Sequence, residues 1–154
     1  MGTHVQFRLA WLKPGASLNK AFKSEAAKHL FDDYLARIHP FSPAKTDGIR
    51  FYSDIKEAGR KIWVCDRGAG AKTYSSEALA DSLKHVIESG TKELYIIVGG
   101  PDGFDDQDME QVKPDMSWSF GPMTLPHELA ALEAAEQIYR AFTILKRLPY
   151  HLGH

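Results

Sequence analysis

Apolar residues fall at every second position over Val5, Phe7, Leu9 and Trp11, a period of two that predicts a half-buried strand over 4–11. Lys13-Pro14-Gly15 breaks the pattern, and Ser17 can cap a helix expected to reach about Ile38. His39-Pro40 and Ser42-Pro43 end it, and the Pro-rich 39–48 stretch reads as a loop. Ile49-Arg50-Phe51 predicts a weak strand and Ile62–Cys65 a stronger one, followed by an Asp66–Gly70 loop. From Ser75 or Ser76 a helix starts, with Leu79, Leu83, Val86 and Ile87 on one face and Gly90 closing it. Leu94–Val98 is apolar throughout, as strands buried on both faces are. A short acidic helix is expected within 105–112 and a short strand at Trp118–Phe120. The last helix runs from Pro126 to about Arg147, with Leu129, Leu132, Ile138, Tyr139, Phe142 and Leu145 expected inward.

Strand and helix alternating through short connections predict an α/β domain with a mostly parallel sheet and helices on both faces. At 154 residues one domain, 1–154, is expected, and 44% hydrophobic content supplies a core. Nineteen basic against twenty acidic residues leave a formal charge of −1, so a nucleic-acid partner has to be met by a local patch. The single cysteine, Cys65, excludes an intrachain disulfide framework and suits a reducing compartment. Neither a signal-peptide core at the first residues nor an apolar run of roughly 20 residues is present, so a soluble cytoplasmic protein is expected.

Chemistry enters with glycine. Gly99 and Gly100 follow the Leu94–Val98 strand, and Gly121-Pro122 follows the next short one. In an open α/β sheet ligands sit beyond the carboxyl ends of the strands, and a missing Cβ lets backbone approach them. Such loops offer N–H and C=O groups suited to an adenine edge; two ordinary turns are the alternative. A phosphate-gripping G-x-G-x-x-G or Walker lysine pattern is absent.

Several uncommon motifs then occur in order: Gly99-Gly100-Pro101-Asp102-Gly103, Ser117-Trp118-Ser119, Thr124-Leu125-Pro126-His127, Glu136-x-x-Tyr139-Arg140-Ala141 and Pro149-Tyr150-His151. In order and spacing they resemble the RlmH-type SPOUT methyltransferases, over roughly residues 60–151. The resemblance implies a parallel sheet whose C-terminal part is threaded into a trefoil knot. It also implies a homodimer that uses S-adenosylmethionine, without a metal, to methylate N3 of a pseudouridine in large-subunit ribosomal RNA on the ribosome. Cofactor-binding positions carried over by motif are Cys65, Asp66, Gly99, Gly100, Phe120, Gly121, Pro122, Met123, Thr124 and Leu125. After Pro-Tyr-His the chain continues Leu152-Gly153-His154, where relatives place a basic residue.

His127, Arg140, Tyr150 and His151 are the catalytic candidates, all on family motifs. His127 falls in the first turn of the last helix, where the positive end of the dipole suits a neutral imidazole that accepts a proton. Arg140 offers a fixed fork for phosphate or a base oxygen, and Glu136 is placed to anchor it at i,i+4. Tyr150 can stack on a base, and His151 can orient it or share protons; an ordinary surface ion pair and a frayed tail are the alternatives. The runner-up functions are the same fold acting on a different RNA, or a catalytically weakened RNA- or ribosome-binding module.

Overall fold

In the computed structural model, described for residues 2–49, 55, 59–66, 71–100, 110 and 112–153, six parallel strands form one sheet in the order β2-β1-β5-β3-β6-β4. The elements are β1 (His4–Leu9), α1 (Glu25–Ile38), β2 (Ala44–Gly48), β3 (Arg60–Cys65), β4 (Lys72–Thr73), α2 (Ser76–Glu88), β5 (Glu93–Val98), β6 (Met116–Ser119) and α3 (His127–Leu145). Single 3-10 turns lie at Leu18–Lys20 and His151–Gly153.

Alternation along the strands sorts the core onto two faces. Val5, Phe7, Leu9, Trp63, Cys65, Leu94, Ile96, Val98, Met116 and Trp118 share one core with all three helices. Ile62, Val64 and Ile97 point the other way, against Ile49, Ile55 and Val112. Val112 and Glu110 are helical, the described part of the acidic helix expected over 105–112. Among the described residues α1, α2 and α3 lie together on one face.

Four expectations need correction. The helix foreseen from Ser17 to Ile38 is two: Ser17 caps one 3-10 turn, and Ser24 caps α1 by accepting from the Ala27 N–H at 3.2 Å. Between them the Glu128 carboxylate accepts the Lys23 and Ser24 N–H groups at 2.8 and 3.1 Å, holding the chain out of a helical path. The Pro-rich stretch 39–48, expected as a loop, holds a strand at Ala44–Gly48 paired to the outer edge of β1, and Ile49 of the strand expected over 49–51 lies just past its end. Arg50 and Phe51 lie outside the described residues. Gly48 is fixed there because a Cβ would sit inside the van der Waals radius of the Leu12 carbonyl oxygen. The first strand stops at Leu9, leaving Trp11 free to act at the sheet's carboxyl edge.

The fourth correction concerns α3. Its buried stripe is Ala131, Ala134, Ala135, Ile138, Ala141, Phe142 and Thr143, while Leu129 is 46% exposed and Leu132 half-buried. Four alanines let the helix approach α1 and α2 closely, so the small face, not the leucine face, goes inward. The helix ends in a reciprocal turn: Leu148 N–H donates to the Thr143 carbonyl at 2.8 Å and Arg147 N–H to Ile144 at 3.1 Å. Arg147 takes φ 57°, where glycine is usual, and this aims Pro149-Tyr150-His151 back along the helix. Residues 67–70, in the loop expected after β3, and 101–109 lie outside the described residues.

Candidate active site

The carboxyl ends of β3, β5 and β6 and the start of α3 enclose a cleft of about 70 Å³ that opens beside Met123. Cys65 and Asp66 come from the end of β3, Gly99 and Gly100 from β5, and Phe120, Gly121, Met123, Thr124 and Leu125 from the loop before α3. Pro122 is exposed and lies outside the lining. Val98, Ala130 and His127 complete it.

Local chemistry shapes these loops. Asp66 N–H donates to the Trp118 carbonyl at 2.9 Å, extending the β3–β6 ladder by one residue. Ser119 Oγ accepts the Gly121 N–H at 3.1 Å, and Gly121 at φ 111° requires a residue without a Cβ. Burial, reinforced by the adjacent Asp66 charge, pushes the Cys65 thiol far above its ordinary range. It is a wall, protonated and inert, rather than a nucleophile.

Trp11, expected from the sequence as part of a strand, stands behind the cleft lining, against His127 and Gly100. Its ring meets His127 edge to face at 4.6 Å between centroids, and its Nε1–H donates to the Ala21 carbonyl at 2.8 Å. The missed signal is positional: Trp11 is two residues past the end of a parallel strand, where ligands bind.

Arg140, Tyr150 and His151 are brought together, but away from His127. Thirteen residues of α3 separate His127 from Arg140, about 20 Å along the axis. Arg140 donates Nε–H and NH2 to Glu136 Oε1 at 2.9 and 2.5 Å, the two side chains being only 12% and 14% exposed. Its NH1 donates to His151 Nδ1 at 3.0 Å. Arginine can only donate, so Nδ1 is the acceptor and the ring proton sits on Nε2, 3.3 Å from Glu77 Oε1. Tyr150 O–H donates to Glu136 Oε1 at 3.2 Å and meets the Tyr34 hydroxyl at 3.4 Å. Its ring lies under the Arg140 guanidinium at 5.1 Å and packs on Tyr139 at 4.8 Å.

The tail is therefore docked, not frayed. Burial opposes the Arg140 charge, but the doubly bonded Glu136 carboxylate outweighs it and raises the pKa. Burial first, then the Tyr34 hydroxyl and the Glu136 charge, hold the Tyr150 phenol well above its usual range, so it stays protonated.

Comparison with known proteins gives the family. A family model described as "Predicted SPOUT methyltransferase" matches residues 18–151. The chain belongs to the SPOUT methyltransferase family. Relatives named "Ribosomal RNA large subunit methyltransferase H" include one from Magnetococcus marinus, 33% identical over 148 residues, covering 80% of this chain and 89% of the relative. Another, from Deinococcus radiodurans, is 37% identical over 136 residues and covers 82% and 90%. A match in Chelativorans sp. is 40% identical over 98 residues but spans 54% of that relative.

Among solved structures, a probable methylase family protein from Haemophilus influenzae shares the fold at TM-score 0.53 and 11% identity, over 98% of this chain and 70% of that one. A ribosomal RNA small subunit methyltransferase E from Neisseria gonorrhoeae, bound to S-adenosyl methionine, does so at 0.50 and 13%, over 93% and 66%.

This SPOUT methyltransferase has a half-buried acid, Glu133, outside both the cleft lining and the Arg140 cluster. Burial first, then repulsion from Glu136, raises the Glu133 pKa, against smaller opposite effects of Gln137 and Arg140. A folded-state pKa above the unfolded value favours folding below the unfolded pKa and loses that advantage as pH rises through the folded one. At neutral pH the ionised Glu133 costs stability, so Glu133→Gln is expected to raise the melting temperature at pH 7. The gain should vanish near pH 4, as thermal melts across that range will show. Among the described residues no cluster of three metal-ligating side chains occurs, and no helix is long and apolar enough to cross a membrane.

Proposed function

We propose that this chain is an S-adenosylmethionine-dependent methyltransferase that modifies N3 of a pseudouridine in large-subunit ribosomal RNA, acting as a cytoplasmic homodimer. The observation that carries this is the cleft at the carboxyl ends of β3, β5 and β6, built from nine of the ten positions assigned to the cofactor by motif. The names of the relatives supply the RNA class.

The residues fit the cofactor. Gly99, Gly100 and Gly121 present backbone where an adenine edge is read, and the Asp66 carboxylate suits a positively charged ligand. When bound, S-adenosylmethionine supplies an activated methyl group on a sulfonium, so positioning is the protein's main task. The imide proton on pseudouridine N3 also has to leave, because the deprotonated nitrogen is the competent nucleophile. His127, held by Trp11 at the cleft, accepts that proton at a ring nitrogen. Arg140, preset by Glu136, holds a base oxygen or phosphate and stabilises the developing negative charge. Tyr150, its hydroxyl held by Glu136, stacks on the base, and His151 orients it.

The distance between His127 and Arg140 favours the homodimer. One chain holds the cleft at one end of α3 and the Arg140–Tyr150–His151 cluster at the other. A second copy lying across α3 joins the cleft of one subunit to the cluster of its partner. Met123 at 76% and Leu129 at 46% exposure give that contact an apolar surface beside the cleft mouth. Local positive charge for RNA is available at Lys13, Lys20 and Lys23, exposed on the segment that Trp11 and Glu128 tie to the start of α3.

Complementation tests this reading. His127→Ala and Tyr150→Phe are each expected to be inactive, while a mixture refolded together regains roughly a quarter of the wild-type rate through mixed dimers. No recovery, with dimers forming normally in sedimentation, would contradict shared sites. The binding-module reading predicts wild-type RNA binding with no methyl transfer at all.

A further inference from the structure

A second cavity of about 290 Å³ lies directly beside the cofactor cleft and shares the Phe120 wall with it. Tyr74, Trp118 and Phe120 give it flat apolar surfaces, Ser119 a hydroxyl, and Glu133 with Gln137 a polar floor on α3. Gln137 is already committed: its Oε1 accepts from Ser76 Oγ at 2.9 Å and its Nε2 donates to Glu136 at 3.0 Å. Along α3 the order is cleft at His127 and Ala130, cavity at Glu133 and Gln137, then the Glu136–Arg140 pair. Within one chain the cavity thus follows the methyl donor's cleft along α3.

Aromatic walls with a few convergent polar groups are the environment in which an unstacked RNA base is held. Pseudouridine differs from uridine in one hydrogen-bonding feature. Its ring joins the ribose through carbon, so N1 carries a hydrogen that uridine lacks. N1 and N3 flank the same carbonyl carbon, so a base whose N3 is turned past Phe120 to the methyl group in the cleft turns N1 towards a different part of the cavity. An acceptor on the floor there distinguishes the two bases.

We propose that this second cavity holds the target base and that Glu133 accepts its N1–H, making Glu133 the residue that selects pseudouridine over uridine. This rests on the methyltransferase reading above. A carboxylic acid and a carboxylate each keep an acceptor oxygen, so the selection works on either side of the Glu133 titration, whose pKa burial raises. The chemistry also separates two variants. Glu133→Gln keeps an acceptor oxygen in nearly the same place; Glu133→Leu removes it while preserving volume.

The test uses the full-length protein and large ribosomal subunits carrying either pseudouridine or uridine at the modified position. The wild type is expected to prefer the pseudouridine substrate in kcat/KM by at least tenfold. Glu133→Gln should retain most of that preference, and Glu133→Leu should reduce it to within about twofold of parity. All three should bind S-adenosylmethionine within twofold of one another by calorimetry, which confirms a folded cleft. Equal use of both substrates by the wild type, or an undiminished preference in Glu133→Leu, would overturn the assignment. A wild type that methylates neither substrate would instead sink the methyltransferase reading, and this inference with it.

Discussion

Replacing Arg140 with alanine is expected to lower kcat for methyl transfer by about a thousandfold, about 4 kcal/mol of transition-state stabilisation. The guanidinium is fixed by two hydrogen bonds to Glu136, a third to His151 Nδ1 and the Tyr150 ring beneath it. Removing it deletes a charge and also releases both tail side chains and leaves a half-enclosed carboxylate without its cation. The last effect should cost about 2 kcal/mol of stability, below the range for fully buried pairs because both partners keep some solvent contact. Arg140→Lys should recover little, since a point charge cannot reproduce the planar fork that meets Glu136 and His151 together. Arg140 does not line the cofactor cleft, so the S-adenosylmethionine dissociation constant should stay within twofold. Steady-state kinetics with calorimetry on the same preparations separate catalysis from folding.

A graded pair at Gly100 should give the second large effect. A Cβ there would meet only the Trp11 Cβ at 3.6 Å, an ordinary contact, so Gly100→Ala is expected to fold and bind cofactor nearly as the wild type does. Gly100→Leu has further atoms to place in a cleft of about 70 Å³, next to the ring that orients His127. Cofactor affinity should fall about a hundredfold, about 2.7 kcal/mol, and the displaced Trp11 should lower kcat at saturation as well. Isothermal titration with S-adenosylmethionine and S-adenosylhomocysteine reads the first effect, and single-turnover rates read the second. Full affinity in Gly100→Leu would place the cofactor elsewhere.

How much was legible in the chain depended on where the governing forces act. Strands β3 and β5 and helix α2 were plain, because burial on both faces or on one stripe writes itself into hydrophobic period, and Ser75 and Gly90 mark the ends of α2. Strand β2 was not legible. Ala44-Lys-Thr-Asp-Gly48 has neither alternation nor β-propensity and is a strand because α1 delivers it to the open edge of β1. The inward face of α3 was misjudged for a related reason: hydrophobicity pointed to Leu129, whereas close helix packing selected the alanines.

The loops that line the cleft could be brought together from glycines after strands plus an ordered set of motifs. Trp11 behind the cleft could have been suspected from its place just past a strand end, whereas the tail's attachment to Glu136 is a tertiary fact that no spacing reveals. The burial of Glu133 was not legible either, since a glutamate on a helix looks solvated until the fold brings Tyr74 and Trp118 to the same cavity.

The most direct measurement is methylation of large ribosomal subunits that lack the modification, using the purified protein and S-adenosylmethionine labelled in its methyl group, with nucleoside mass spectrometry of the product. The account predicts close to one methyl per subunit, recovered as N3-methylpseudouridine, and none with the Arg140→Ala protein. No labelled nucleoside from the wild type, under conditions where it binds both cofactor and subunits, would contradict it.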